Sequence, residues 1–188
     1  SLKKLNPLIQ LEMGQNQLSE SFKRFLQNNV RGIVTDDNME ECGLMLSQQR
    51  AYAATLQETW IVGNSTVEHG RWMFIHHGPS KKLCKRGSLG VSIALSKPAR
   101  KAWEQAGCVK LYFGLRILAT RLKIVNKNKQ TVMDIYLVSA HAPDSGKSQD
   151  EINEYNIHLQ ECLDNCKDSE VLIVGTDANA SMGVRSRH

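Results

Sequence analysis

Gly175-Thr176-Asp177-Ala178-Asn179-Ala180 follows directly on the apolar run at residues 171–174, so a carboxylate and an amide stand two residues apart at the end of a buried strand. Alternate strand residues share a face, and Asp177 and Asn179 therefore project together from a rigid end. A carboxylate that activates water beside an amide that holds an oxyanion suits the hydrolysis of a phosphate ester. The same pair also fits a plain Asx turn after a strand. Three other strand ends carry polar residues. They are Asn29 in Asn29-Val30-Arg31-Gly32, Glu58 in Leu56-Gln57-Glu58-Thr59-Trp60, and His141 in Ser139-Ala140-His141-Ala142-Pro143. Taken singly, Glu58 reads as a surface carboxylate, Asn29 as a capping or turn residue beside Asn28, and His141 as a satisfied strand-end histidine.

The elements that must position these residues follow from periodicity and punctuation. Residues 1–20 are polar and weakly patterned, and they read as a tail or a frayed helix. A strand is predicted at 21–30, although Phe22-Lys23-Arg24-Phe25-Leu26 equally suits a helical turn. Asp36 or Asp37 caps a helix to about Gln49, and strands follow at 51–56 and 71–76. A basic loop covers residues 79–87. A strand at 90–95 leads into a helix that starts around Pro98 and ends near Gly107. Further strands are predicted at 115–124 and 132–139, with a turn at 126–130 between them. Ser148 or Asp150 then caps a helix with Ile152, Tyr155, Leu159, Cys162 and Leu163 on one stripe. His76 and His77 belong to no motif and read as strand-end or loop residues. Strands interleaved with helices indicate a layered α/β domain, here residues 21–188.

Composition sets the outer limits. A chain of 188 residues with 41% hydrophobic and 23% charged residues is long enough for one domain with a real core. No apolar run approaches the ~18 residues of a transmembrane helix, and the first residues lack the apolar centre of a signal peptide. The chain begins without Met, as a fragment or a processed form would. Its five cysteines are odd in number and include no C-x-x-C. Cys162 and Cys166 have a helical spacing open to zinc, but no second ligand pair follows them. A reduced intracellular protein, nuclear or cytoplasmic, is the expectation. The net charge of +5 hides a strong segregation: residues 71–130 hold fourteen Lys or Arg against one acid, Glu104. Such a segment suits a polyanion partner, and it also fits cations that merely solvate loops and outward faces.

The four strand-end motifs, taken in order, resemble the endonuclease/exonuclease/phosphatase superfamily that includes deoxyribonuclease I. The nearest likeness is to the endonuclease domain of non-LTR (LINE-type) retrotransposons. Gly90-Val91-Ser92-Ile93-Ala94-Leu95-Ser96 and Arg116-Ile117-Leu118-Ala119-Thr120-Arg121-Leu122 are similar to the structural strands between those motifs. The likeness covers residues 22 to 183 or thereabouts. It implies a four-layered α/β sandwich of two packed mixed sheets flanked by helices, with the active site where loops of both sheets meet. It implies Mg²⁺ or Mn²⁺ held by Glu58, with Asn29 supporting the metal or its phosphate. Asp177 would orient or deprotonate water, Asn179 would hold a phosphate oxygen, and His141 would donate to the phosphate. Lys85 and Arg86, in the basic loop, would bind substrate. Many members have Tyr where His141 stands, and a titrating His would make that contact pH-dependent. Thr176 and Ala178 also depart from the family pattern.

The resemblance further implies a second orienting Asp and a terminal Asp-His pair beyond the Asp-x-Asn motif. Arg187-His188 does not supply them, so the domain is expected to be C-terminally incomplete, without its last strands, and weak or inactive as it stands. The leading expectation is a DNA-nicking phosphodiesterase that leaves a free 3′-hydroxyl. One alternative is a degenerate retrotransposon-derived module that binds nucleic acid or protein without catalysis. Another is the same fold acting on a phosphoinositide, a sphingolipid or RNA. No membrane partner is expected.

Overall fold

The computed structural model describes residues 6–11, 23–80 and 89–178. The first sheet is built from β1 (Asn6–Leu11), β2 (Lys23–Asn29), β3 (Ala53–Gln57), β4 (Ser65–His69), β5 (Trp72–His77) and β6 (Val91–Ser96) in the order β1-β2-β3-β6-β5-β4. The second is built from β7 (Leu111–Phe113), β8 (Ile117–Val125), β9 (Thr131–His141) and β10 (Glu170–Asp177) in the order β10-β9-β8-β7. Both sheets are mixed. Each contains one parallel pair, β2 with β3 and β9 with β10, and all other pairings are antiparallel.

Parallel neighbours require a crossover, and a helix supplies each one. The first, α1 (Asp36–Gln48), joins β2 to β3. Its N-cap is Thr35, whose hydroxyl accepts from the Asn38 amide; Asp36 and Asp37 occupy the first turn, where their charge favours the helix dipole. The expected capping role of an aspartate is thus corrected by one position. The second crossover, α3 (Gln149–Asp164), is capped by Ser148, which accepts from the Glu151 amide. A third helix, α2 (Lys97–Gln105), follows β6 with Pro98 in its first turn.

Alternation in the strands sorts the core into layers. Phe25, Ile75, Ile93 and Leu95 face Leu118, Leu122, Ile135, Leu137 and Ile173 between the sheets, with Trp103 of α2 completing the cluster. Leu26, Leu56 and Phe74 point the other way, onto Met39, Cys42 and Leu46 of α1. Ile117, Tyr136 and Val138 meet Tyr155 and Cys162 of α3. The order α1, first sheet, second sheet, α3 is the expected four-layered sandwich. Each helix in it buries only one stripe and each sheet buries both faces.

Two readings change. The stretch expected as a tail carries β1, which pairs antiparallel with β2; its residues fit an edge strand, where one side needs no partner, so the sequence shows little pattern. Two short strands, β4 and β7, were not expected. None of the side chains of β4 is buried, and β7 spans three residues, below the length at which periodicity is legible. His76 and His77 end β5, as the strand-end reading has it, and both are buried. Among the described residues, no helix is long and apolar enough to cross a membrane.

Candidate metal and phosphate site

The two parallel pairs point their carboxyl ends to the same place. Asn29 is the last residue of β2, and Glu58 is the first after β3. His141 and Asp177 are the last residues of β9 and β10 and face each other in register. In open α/β sheets, ligands gather at the carboxyl ends of parallel strands, and here two such ends converge.

At the meeting point, the Asn29 Nδ2 donates to Glu58 Oε1 at 2.5 Å and to Asp177 Oδ2 at 2.7 Å. One amide thus holds two carboxylates that would otherwise repel each other. Glu58, His141 and Asp177 each offer a ligand atom, and these atoms lie within 4.8 Å of one another. The Asn29 Oδ1 and His141 Nδ1 are buried without a hydrogen-bond partner. Two carboxylates, an imidazole and unsatisfied polar atoms in so small a volume fit a hard divalent cation, which prefers oxygen donors.

The electrostatics favour the neutral imidazole. Burial pushes the His141 pKa below its ordinary value, and the Arg116 guanidinium adds to that; Asp177 and Glu58 oppose it. Arg116 is itself buried and paired to Glu151 at 2.7 Å, while its carbonyl accepts from the His141 amide at 3.0 Å.

A buried polar network ties the two sheets together directly beneath the cluster. Gln57 Nε2 donates to Ser139 Oγ at 3.1 Å and to the Gly175 carbonyl at 3.2 Å. Ser139 Oγ donates to the Leu56 carbonyl at 3.2 Å, and Gln27 Nε2 donates to Gln57 Oε1 at 2.8 Å. Gln57 and Ser139 are fully buried, so these bonds form in a low dielectric and fix the spacing of the strand ends. Neither residue has a role legible in the sequence. The available signal was a polar residue at an inward position one or two residues before a site residue.

The backbone at Glu58 is also unusual. Glu58 and Trp60 have φ of 51° and 60°, in the left-handed region that non-glycine residues seldom occupy. Loops on both sides pin them: the amides of Gly32 and Ile33 donate to the carbonyls of Glu58 and Thr59, and those of Thr59 and Trp60 to the carbonyls of Gly90 and Leu89. Strain at a pinned residue of this kind clusters at functional sites.

Of the sequence-predicted residues, Asn29, Glu58, His141 and Asp177 come together. Asn179, Lys85 and Arg86 lie outside the described residues. The basic segment is dispersed: Arg121 is engaged by Glu170, and Arg100 by Glu68 and Glu104. Arg71, Lys97 and Arg100 line a concavity of about 620 Å³ together with Arg50. Leu95 pairs with Ala53 at the start of β3, so this concavity lies at the opposite end of the sheet from Glu58.

No protein-family model matches the sequence, and no curated protein matches it. Among solved structures, the chain is similar to the endonuclease domain of TRAS1, a telomere-specific non-LTR retrotransposon, with a TM-score of 0.55 and 17% sequence identity. The match covers 85% of this chain and 60% of that one.

Proposed function

We propose that this chain, which has the deoxyribonuclease I-like fold of a retrotransposon endonuclease domain, is a divalent-metal-dependent phosphodiesterase that nicks DNA and leaves a free 3′-hydroxyl. The observation that carries the reading is the convergence of Glu58, Asp177 and His141 around Asn29. Mg²⁺ or Mn²⁺, held by Glu58 and Asn29, would supply charge neutralisation at the phosphoryl group. The amide of Asn29 has two uses. Turned as it stands, it donates to both carboxylates; rotated by half a turn, it offers Oδ1 to a cation. Asp177 orients a water and takes its proton as the water oxygen attacks phosphorus and the bond to the 3′-oxygen breaks. His141 would donate one hydrogen bond to a non-bridging phosphate oxygen. Asn179, Lys85 and Arg86 are proposed to bind phosphate.

Divalent-dependent nicking of supercoiled plasmid tests the reading. Activity should vanish with EDTA and fall by about 100-fold or more in Glu58→Gln, the scale on which preorganised charge stabilisation acts. Nicking that survives both changes would sink it. Among the described residues the cluster contains no second imidazole to protonate the departing 3′-oxygen.

The alternative of binding without catalysis draws on one observation. Arg50, Arg71 and Lys97 have no ion-pair partner among the described residues yet line one concavity. Salt-sensitive DNA binding that Asp177→Asn leaves unchanged, with no nicking by the parent chain, would favour it.

A further inference from the structure

Trp60 departs from the other two tryptophans. Trp72 and Trp103 are 4% and 6% exposed and belong to the core, whereas Trp60 is 38% exposed. It stands two residues beyond Glu58, with its backbone in the left-handed region at φ 60°. For a bulky residue this is a true outlier, and the cost persists only because the backbone bonds of Glu58, Thr59 and Trp60 to the flanking loops over-determine the conformation. Positive φ at both Glu58 and Trp60 accompanies a division of direction. Glu58 turns inward to Asn29, and Trp60 keeps over a third of its surface in solvent.

The indole is also seated. It rests on Gly32, where an added Cβ would meet Trp60 Cε3 at 2.6 Å. Gly32 closes the Asn29-Val30-Arg31-Gly32 segment, so the ring lies against the same loop that begins with the bridging amide. Among the described residues no other aromatic ring stacks on Trp60. Arg31, on that loop, is exposed and has no ion-pair partner among the described residues. A loop that needed only apolar filler over Gly32 would be served by leucine in a relaxed conformation. A part-exposed indole, two residues beyond Glu58 and resting on Gly32 next in sequence to the exposed Arg31, is instead suited to holding single-stranded nucleic acid. The base stacks on the ring while the cation follows the backbone.

We infer that Trp60 is a stacking platform for an unpaired nucleobase next to the phosphodiester that is cleaved at the Glu58–Asp177 cluster, a role that rests on the phosphodiesterase reading above. Stacking of this kind tolerates any base, because every base has a π face. The contact is therefore a binding and positioning device rather than a sequence reader.

The test uses the full chain in EDTA, so that the probe stays intact. The probes are a single-stranded oligodeoxynucleotide and one of the same length built from abasic nucleotides. Trp72 and Trp103 are buried, so quenching on binding reports on Trp60. The base-bearing strand should quench the emission and the abasic strand should not. Trp60→Leu fills the space over Gly32 without a π face and should weaken binding of the base-bearing strand by about 5- to 150-fold. Trp60→Phe should keep most of the affinity, and the abasic strand should bind parent and Trp60→Leu alike. Equal affinity of Trp60→Leu and parent for the base-bearing strand would overturn the inference, as would equal quenching by the two strands. In both cases the phosphodiesterase reading survives. Absence of binding by either strand at low salt would likewise overturn the inference.

Discussion

Asn29 is the residue on which the site's charge balance rests. Its Nδ2 reaches both Glu58 and Asp177, so the two carboxylates share one donor. Asn29→Asp replaces that donor with a third acceptor, and in the absence of metal the cluster must protonate or separate. The expected cost in EDTA is about 1–3 kcal/mol of stability. Mn²⁺ should restore it, giving the variant a larger metal-induced rise in Tm than the parent. Thermal unfolding with EDTA and with Mn²⁺ measures both, and a variant no more metal-responsive than the parent would show that the cluster does not bind cations. The four described site residues were legible in the sequence because each ends a strand with a polar side chain. Gln57 and Ser139 were not, because a buried amide or hydroxyl has no pattern of its own and acquires a role only from what faces it.

At the scale of elements, the loop after β3 decides where Glu58 points. Gly78 lies so close to this loop that an added Cβ would overlap the Ile61 carbonyl oxygen, and Gly63 N–H donates to the neighbouring Pro79 carbonyl at 2.9 Å. Backbone cannot give way as a flexible side chain can. Gly78→Ala should therefore cost about 2 kcal/mol or more and also weaken Mn²⁺ binding, since relief requires the Glu58–Ile61 segment to shift. Gly70→Ala is the control. At φ 60° with nothing within 4 Å, it should lose only about 1 kcal/mol from backbone strain and leave metal binding intact. Calorimetric titration with Mn²⁺ alongside thermal melts separates the two, and equal metal affinity in both variants would refute the coupling. The helices and long strands were readable from their periodicity. The two short strands were not, because three to five residues at a sheet's edge bury too little to impose a pattern.

For the whole molecule, buried histidines set the acid limit of stability. Burial lowers the His76 pKa to about 4, and its Nδ1 lies 2.6 Å from Ser92 Oγ in the core. The unfolded chain binds a proton near the ordinary value of 6.5, so between these values it carries more protons than the native state. Stability from this residue is complete above about pH 6.5 and is lost as pH falls towards about 4, by up to roughly 3 kcal/mol. Burial also lowers the pKa values of His77 and His141, so both act in the same direction. Tm should decline as pH falls from about 7 to about 4.5, and His76→Gln should flatten that decline. An unchanged slope in the variant would remove His76 as the cause. Segregated charge was visible in the sequence, yet the scatter of its described cations, with Arg71, Lys97 and Arg100 at the end of the sheet away from Glu58, was not, since charge counting ignores strand direction.

The layered α/β class, the long strands and helices, and the strand-end identities of Asn29, Glu58, His141 and Asp177 are legible in the residues alone. All of these are local, because periodicity and punctuation act within a few residues along the chain. The tertiary structure decided that two parallel pairs, each closed by its own crossover helix, bring their carboxyl ends to one point, so that one amide spans carboxylates 29 and 148 residues away. It also decided that Gln57 and Ser139 lock the sheets beneath that point, and that Trp60 stands outward beside it. Those facts depend on the register between strands distant in sequence, which packing of the whole core selects.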